Sequence, residues 1–144
     1  MSTREVLYWL KHYRHIQREI NDLELRIKEL RSKYENPSAI VYSDMPKAHN
    51  TEHDLSDYMA KLQEYEETLI ARHAACLGLS AQYIQAFEHL DSEQAHVLKR
   101  MYMDDKTALE IAKEIPCSER TVYYIRRKAI RKLAELPNVC SPLQ

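Results

Sequence analysis

Val6, Trp9, Tyr13, Ile16, Ile20, Leu23, Ile27, Leu30 and Tyr34 follow one another at steps of three and four. That spacing lines one face of a helix and predicts a first long helix over residues 3–34. Ile20 and Ile27 take one core position and Leu23 and Leu30 the other, which makes the face a coiled-coil seam. In a self-pairing coil this choice favours a parallel dimer. A second seam, Leu55, Tyr58, Leu62, Tyr65, Leu69, Cys76, Leu79, Tyr83, Ala86 and Leu90, predicts a helix from Thr51 to Leu90 with Arg72 as its one break. Gly78 falls inside it and is expected to soften or bend it. Between the seams Asn36-Pro37, Ser43-Asp44 and Met45-Pro46 interrupt any helix, so residues 35–50 read as a linker. Its apolar centre, Ile40-Val41-Tyr42, is able to pack back on the helices. The simplest arrangement of residues 1–90 is an antiparallel helical hairpin. The linker is long enough, fully extended, to permit a parallel arrangement too, and a homodimer through the same seams stays open.

The pattern changes after Leu90. Asp91 or Ser92 is placed to cap a helix whose apolar contacts are Ala95, Val97, Leu98, Met101 and Tyr102, and Asp104-Asp105-Lys106 connects it onward. Thr107 opens the next helix, and Glu110 three residues later completes a capping box. Leu109, Ile111, Ala112 and Ile115 are its expected apolar side. Pro116 ends it at Ile115. Ser118 then caps a last helix carrying Val122, Ile125, Ala129 and Leu133 at spacings of three and four. A short helix, a sharp turn and a longer helix, backed by a third, is the arrangement of a helix-turn-helix. The expected fold is all-α: a hairpin over 1–90, a helix-turn-helix over 91–136 and a tail over 137–144.

On the last helix the side opposite the apolar stripe carries Arg120, Tyr124, Arg127 and Arg131, flanked by Tyr123 and Lys128. From Cys117 to Leu136 six Lys/Arg stand against two Glu. Such a row is often only a solvated basic face; its coincidence with a capped helix after a tight turn favours DNA.

The formal charge of −1 hides an asymmetry that supports the same conclusion. Residues 1–92 hold 11 basic and 15 acidic side chains, whereas 93–144 hold 10 and 7, so the basic excess sits with the helix-turn-helix. One glycine and five prolines argue against sheets built on tight hairpins. No apolar run nears the roughly 18 residues of a membrane span and no signal-peptide pattern follows Met1, which predicts a cytoplasmic protein. Cys76, Cys117 and Cys140 form neither a disulfide framework nor a metal knuckle, and Cys117 is expected to pack in the core of the turn. His12 with His15 lacks the further ligands a metal site needs, while His49 and His53 share a face open to zinc only if the second helix begins early enough. No phosphate loop and no nucleophile–base set occurs, and Asp104-Asp105 has no catalytic companion, so neither an enzyme nor a cofactor is expected.

Thr107, Glu110, Ile111, Ala112, Lys113, Glu114, Ser118, Ile125, Lys128, Ala129, Arg131, Lys132 and Leu133 resemble the DNA-reading region four of bacterial sigma factors. Two positions depart from that pattern. Pro116 stands where the turn usually has glycine, and Tyr123-Tyr124 replace a polar pair, which implies a different sequence preference. With Ser43, Asp44, Met45, Pro46 and Lys47 of the linker, the chain as a whole resembles phage late-transcription regulators of the ArpU/RinA type. That resemblance implies an activator of late genes that binds phage promoter DNA in a bacterial host cell and acts with host RNA polymerase. No stretch matches the part of a sigma factor that melts the −10 element.

The residues expected to meet double-stranded DNA are therefore Ser118, Arg120, Tyr123, Tyr124, Arg127, Lys128 and Arg131. Two other classes share the same features. A small terminase subunit also joins a helix-turn-helix to oligomerising helices, and a coiled-coil interaction protein would use the basic helix against an acidic protein surface.

Overall fold

The computed structural model describes residues 2–35 and 51–137, with the first four residues of the second stretch as backbone only. Every regular element among them is helical, as expected. They are α1 (Thr3–Glu35), α2 (Thr51–Phe87), α3 (Ser92–Leu98, continued by a π-helical turn, Lys99–Met103), α4 (Ala108–Glu114) and α5 (Glu119–Glu135). Of the expected linker only Glu35 is described, where it ends α1, and of the tail only Pro137. The packing of Ile40-Val41-Tyr42, the pair His49/His53 and the state of Cys140 lie outside the described residues.

The chain forms two compact units, one of Met1–Gln17 with Ala75–Gln144 and one of Arg18–Ala74. The boundary expected near residue 90 thus falls inside the first unit, because the start of α1 and the end of α2 fold with the helix-turn-helix.

In the second unit α1 and α2 run antiparallel. Arg72 meets Glu19 at 2.8 Å and Arg31 meets Glu66 at 3.0 Å, while the rings of Tyr34 and Tyr58 stack with centroids 4.5 Å apart. Ile20, Ile27 and Tyr58 are buried there, but Leu23, Leu30, Leu62 and Leu69 are only half-buried and Leu55 is exposed. Its ion pairs are about half-exposed and stabilise little.

The first unit holds most of the core. Val6, Trp9, Leu10 and Ile16 of α1 are buried, as are Cys76, Leu79, Tyr83, Ala86 and Phe87 of α2. The two segments are again antiparallel. The Tyr83 hydroxyl lies on the main-chain carbonyls of Trp9 and Leu10, and the Trp9 and Tyr83 rings meet edge to face at 4.5 Å. Leu10 is fully buried although it stands outside the predicted seam, since a helix covered from two sides buries more than one stripe. Gly78 neither breaks nor ends α2. The helix stops at Phe87, not Leu90, with the Leu90 N–H turning back to the Phe87 carbonyl at 3.0 Å.

Asp91 is the N-cap of α3, its N–H held by Gln94 Oε1 at 3.4 Å. At its far end α3 widens, and the Asp104 N–H reaches the Lys99 carbonyl at 3.1 Å. Both α3 and α4 pack on α5. Val97, Leu98, Met101, Tyr102, Ala108, Ile111, Ala112, Val122, Ala129, Ile130 and Leu133 are the buried residues of these three helices. Three expectations are corrected here. Leu109 is 54% exposed, and Ala108 takes the inward place beside Ile111 and Ala112. Ile125 is half-buried, and Ile130 completes the buried face of α5. Cys117 is half-buried, since the turn in which it sits is at the surface.

Candidate nucleic-acid interface

The geometry of this interface begins with two caps. Thr107 Oγ1 accepts from the Glu110 N–H at 3.3 Å, and Glu110 Oε2 accepts from the Thr107 N–H at 3.1 Å. This reciprocal pair satisfies two of the four N–H groups a helix start leaves open. Ile115 then leaves helical geometry, with φ −104° and ψ 101°, as a residue before proline must. The chain turns through Pro116 and Cys117, the latter's N–H bonded to the Ala112 carbonyl at 3.3 Å. Proline therefore serves in place of glycine, because no residue of the turn has positive φ. Ser118 restarts the helix, its Oγ accepting from the Thr121 N–H at 3.2 Å and lying 2.8 Å from the Thr121 hydroxyl.

All seven residues expected to meet DNA are exposed. Arg120, Tyr124, Arg127 and Arg131 lie along one side of α5, opposite buried Val122, Ala129 and Leu133. Tyr123 is 41% and Tyr124 53% exposed. Neither ring is loose: Lys128 Nζ lies 5.2 Å from the Tyr124 ring centre, and the Arg126 guanidinium 5.5 Å from that of Tyr123. Cation–π contact at exposed sites is worth about 0.5–1 kcal/mol, enough to bias a rotamer.

Four carboxylates of the first unit are engaged away from this ridge. Glu114 meets His96 Nε2 at 3.4 Å and Arg100 Nε at 3.2 Å, and Asp104 meets Arg100 at 3.3 Å. Asp91 pairs with Lys132 at 3.5 Å, and Asp105 with Arg14 at 2.7 Å. Among the described residues, no carboxylate pairs with Arg120, Arg127, Lys128 or Arg131. Their charge is left to solvent or to a polyanion.

Arg126 is the residue that sequence reasoning passed over. It is half-buried, and its Nε, like Arg14 Nε and the Tyr102 hydroxyl, is buried without a well-formed hydrogen bond. Burial pushes the Tyr102 hydroxyl above the usual tyrosine range, while the nearby Arg126 and Arg14 guanidiniums pull the other way. Its place beside Tyr123 could have been suspected from the i, i+3 spacing alone. His12 and His15 stack with ring centres 6.2 Å apart, and no group of three or more His, Cys, Asp or Glu capable of holding a metal occurs among the described residues. No helix among them is long and apolar enough to cross a membrane.

No curated protein and no solved structure matches the chain. Residues 86–135, from the last turn of α2 to the end of α5, match the family model described as Sigma-70, region 4, and this stretch is a helix-turn-helix of the sigma-region-four type.

Proposed function

We propose that the chain is a DNA-binding transcriptional regulator whose α5 enters the major groove. The observation that carries this reading is the row of Arg120, Tyr124, Arg127 and Arg131, exposed, unpaired with described carboxylates and held on a capped helix backed by α3 and α4. Residues near the start of a recognition helix reach deepest, so Arg120 and Tyr124 read base edges. Arg127, Lys128 and Arg131 hold phosphates, helped by the N–H groups at the Ser118 end of the helix. Tyr123, steadied by Arg126, flanks the contact.

The resemblance to ArpU/RinA-type regulators supports a finer reading: a non-enzymatic phage activator of late genes, acting with host RNA polymerase in the cytoplasm of a bacterial cell. The test is selection of bound sequences from random and phage genomic DNA, with the sites mapped against promoters. Enrichment of one motif upstream of late promoters is the expected result. Failure to shift any DNA at low salt would remove the regulator reading and leave the basic helix to a protein partner. A motif confined to a packaging site would favour a terminase subunit.

A further inference from the structure

Charge in this chain divides by structural unit more than by position along the sequence. The first unit carries 13 basic and 10 acidic side chains, the second 8 and 12. Residues 1–17 belong to the basic unit and hold Arg4, Lys11 and Arg14 against the single Glu5. Glu5 is engaged at the start of α1, its Oε2 accepting from the Ser2 N–H at 2.8 Å. Arg4, Tyr8, Lys11 and His15 follow at steps of four, three and four and are all exposed, Tyr8 to 75%. At 100° per residue they form one stripe centred about 165° around α1 from buried Val6, Trp9, Leu10 and Ile16. The Tyr8 and His12 rings stack with centres 6.4 Å apart, and His12 and His15 continue the stack at 6.2 Å. Among the described residues no carboxylate pairs with Arg4 or Lys11.

This part of α1 is tied to the flank of the α5 ridge. Arg14, about 60° around the helix from Lys11, holds Asp105 and the Met101 carbonyl. The hydroxyl of Tyr102, next in the chain, feels the guanidiniums of both Arg14 and Arg126. Arg126 in turn lies 5.5 Å from the Tyr123 ring centre. The turn at Met101–Asp105 thus bridges the basic stretch of α1 and the Tyr123 side of the ridge.

We propose that the stripe is a second phosphate-binding surface, with Arg4 and Lys11 gripping the backbone of the duplex that α5 reads. This rests on the DNA-binding reading of α5. The stripe lies outside residues 86–135, the stretch that matches region 4. Phosphate chains border both sides of the groove that a recognition helix enters, so a basic helix on its flank meets backbone and not base edges. Charge selects the occupant: exposed cations without carboxylate partners, in the unit that carries the basic excess, suit a polyanion. The Tyr8 hydroxyl adds a donor of the kind that phosphates accept. Such contacts carry no sequence information, so the stripe adds affinity without changing the base preference.

The test is the salt dependence of DNA binding by the full chain, measured by fluorescence anisotropy on a selected and a scrambled duplex. Arg4→Ala with Lys11→Ala should weaken both duplexes alike and make the slope of log K against log salt shallower by about 1.8, at about 0.9 per lost phosphate contact. Arg26→Ala with Lys28→Ala removes the same charge from the part of α1 in the second unit and should leave the slope unchanged. All four positions are exposed, so helical circular dichroism should be unaltered in both variants. An unchanged slope for the first pair, with Arg131→Ala still weakening binding, would overturn this proposal alone and leave the stripe to an acidic protein surface. Equal shifts from the two pairs would reduce the effect to net charge and overturn it as well. A wild-type chain that binds neither duplex would overturn the α5 reading together with this one.

Discussion

Arg14 of α1 and Asp105 of the α3–α4 connection meet at 2.7 Å, and the same guanidinium donates to the Met101 carbonyl, also at 2.7 Å. The start of α1 thereby holds the wide last turn of α3, where the Lys106 N–H reaches back to the Arg100 carbonyl at 2.9 Å. Asp105 has a φ of 55°, the left-handed region that a side chain disfavours.

The two bonds of Arg14 should differ in weight. Asp105 is mostly exposed, so Asp105→Ala should cost less than about 1 kcal/mol. Arg14→Ala also leaves a part-buried carbonyl unpaired and should cost about 1–3 kcal/mol. Asp105→Gly should cost less than Asp105→Ala, since glycine tolerates positive φ. Urea denaturation of the three variants gives the ranking.

Each cap stabilises its helix separately. Thr107→Ala and Ser118→Ala should each lower stability by about 1 kcal/mol. Only the second should also weaken DNA binding, because only Ser118 lies at the proposed interface. Equal effects of both on DNA affinity, after correction for folding, would argue against that placement.

Leu109 and Ile111 look alike in the sequence and differ in the fold. Ile111 is fully buried, and Ile111→Ala should cost about 2–5 kcal/mol. Leu109→Ala should stay within about 0.5 kcal/mol of wild type. Thermal melts read this directly.

On DNA, Arg120→Ala should cost about 1–3 kcal/mol on the selected site and relax the base preference. Arg131→Ala should weaken selected and scrambled duplexes alike. If four or five phosphates are neutralised, log K should fall with log salt at a slope of about −4. Identical losses for both variants on both duplexes would refute the division between base-reading and phosphate-holding residues.

Tyr102 carries a pH dependence. Burial raises its folded-state pKa, so the neutral phenol is the form that the fold favours. Its contribution is fully present below the unfolded value of about 10 and is lost as pH rises through the folded one. Tyr102→Phe should reduce the loss of stability at alkaline pH, with the rest remaining with Tyr13 and Tyr58, which burial also raises. At neutral pH the change should be nearly neutral or stabilising, because the buried hydroxyl it removes makes no well-formed hydrogen bond.

The elements readable from the sequence were those set by local rules. The three-and-four spacing marks α1, α2 and α5, the Thr107–Glu110 and Ser118 caps mark where α4 and α5 begin, and Pro116 marks the turn. The exposed ridge on α5 followed from the same periodicity, since Val122, Ala129 and Leu133 settle which side is inward. These interactions span three or four residues, so neighbours in sequence suffice to determine them.

What the tertiary structure alone decided is the rotation of each helix against its neighbours and the grouping of distant segments. Short α4 offers Ala108 and Leu109 almost equally, and packing against α5 buried the smaller. Ile130 turned inward and Ile125 did not, Arg126 was drawn half under Tyr123, and the ends of α1 and α2 joined the helix-turn-helix unit. Each outcome depends on the shape of a surface made by residues far away in the chain, and close packing in the interior admits only one of the locally acceptable arrangements.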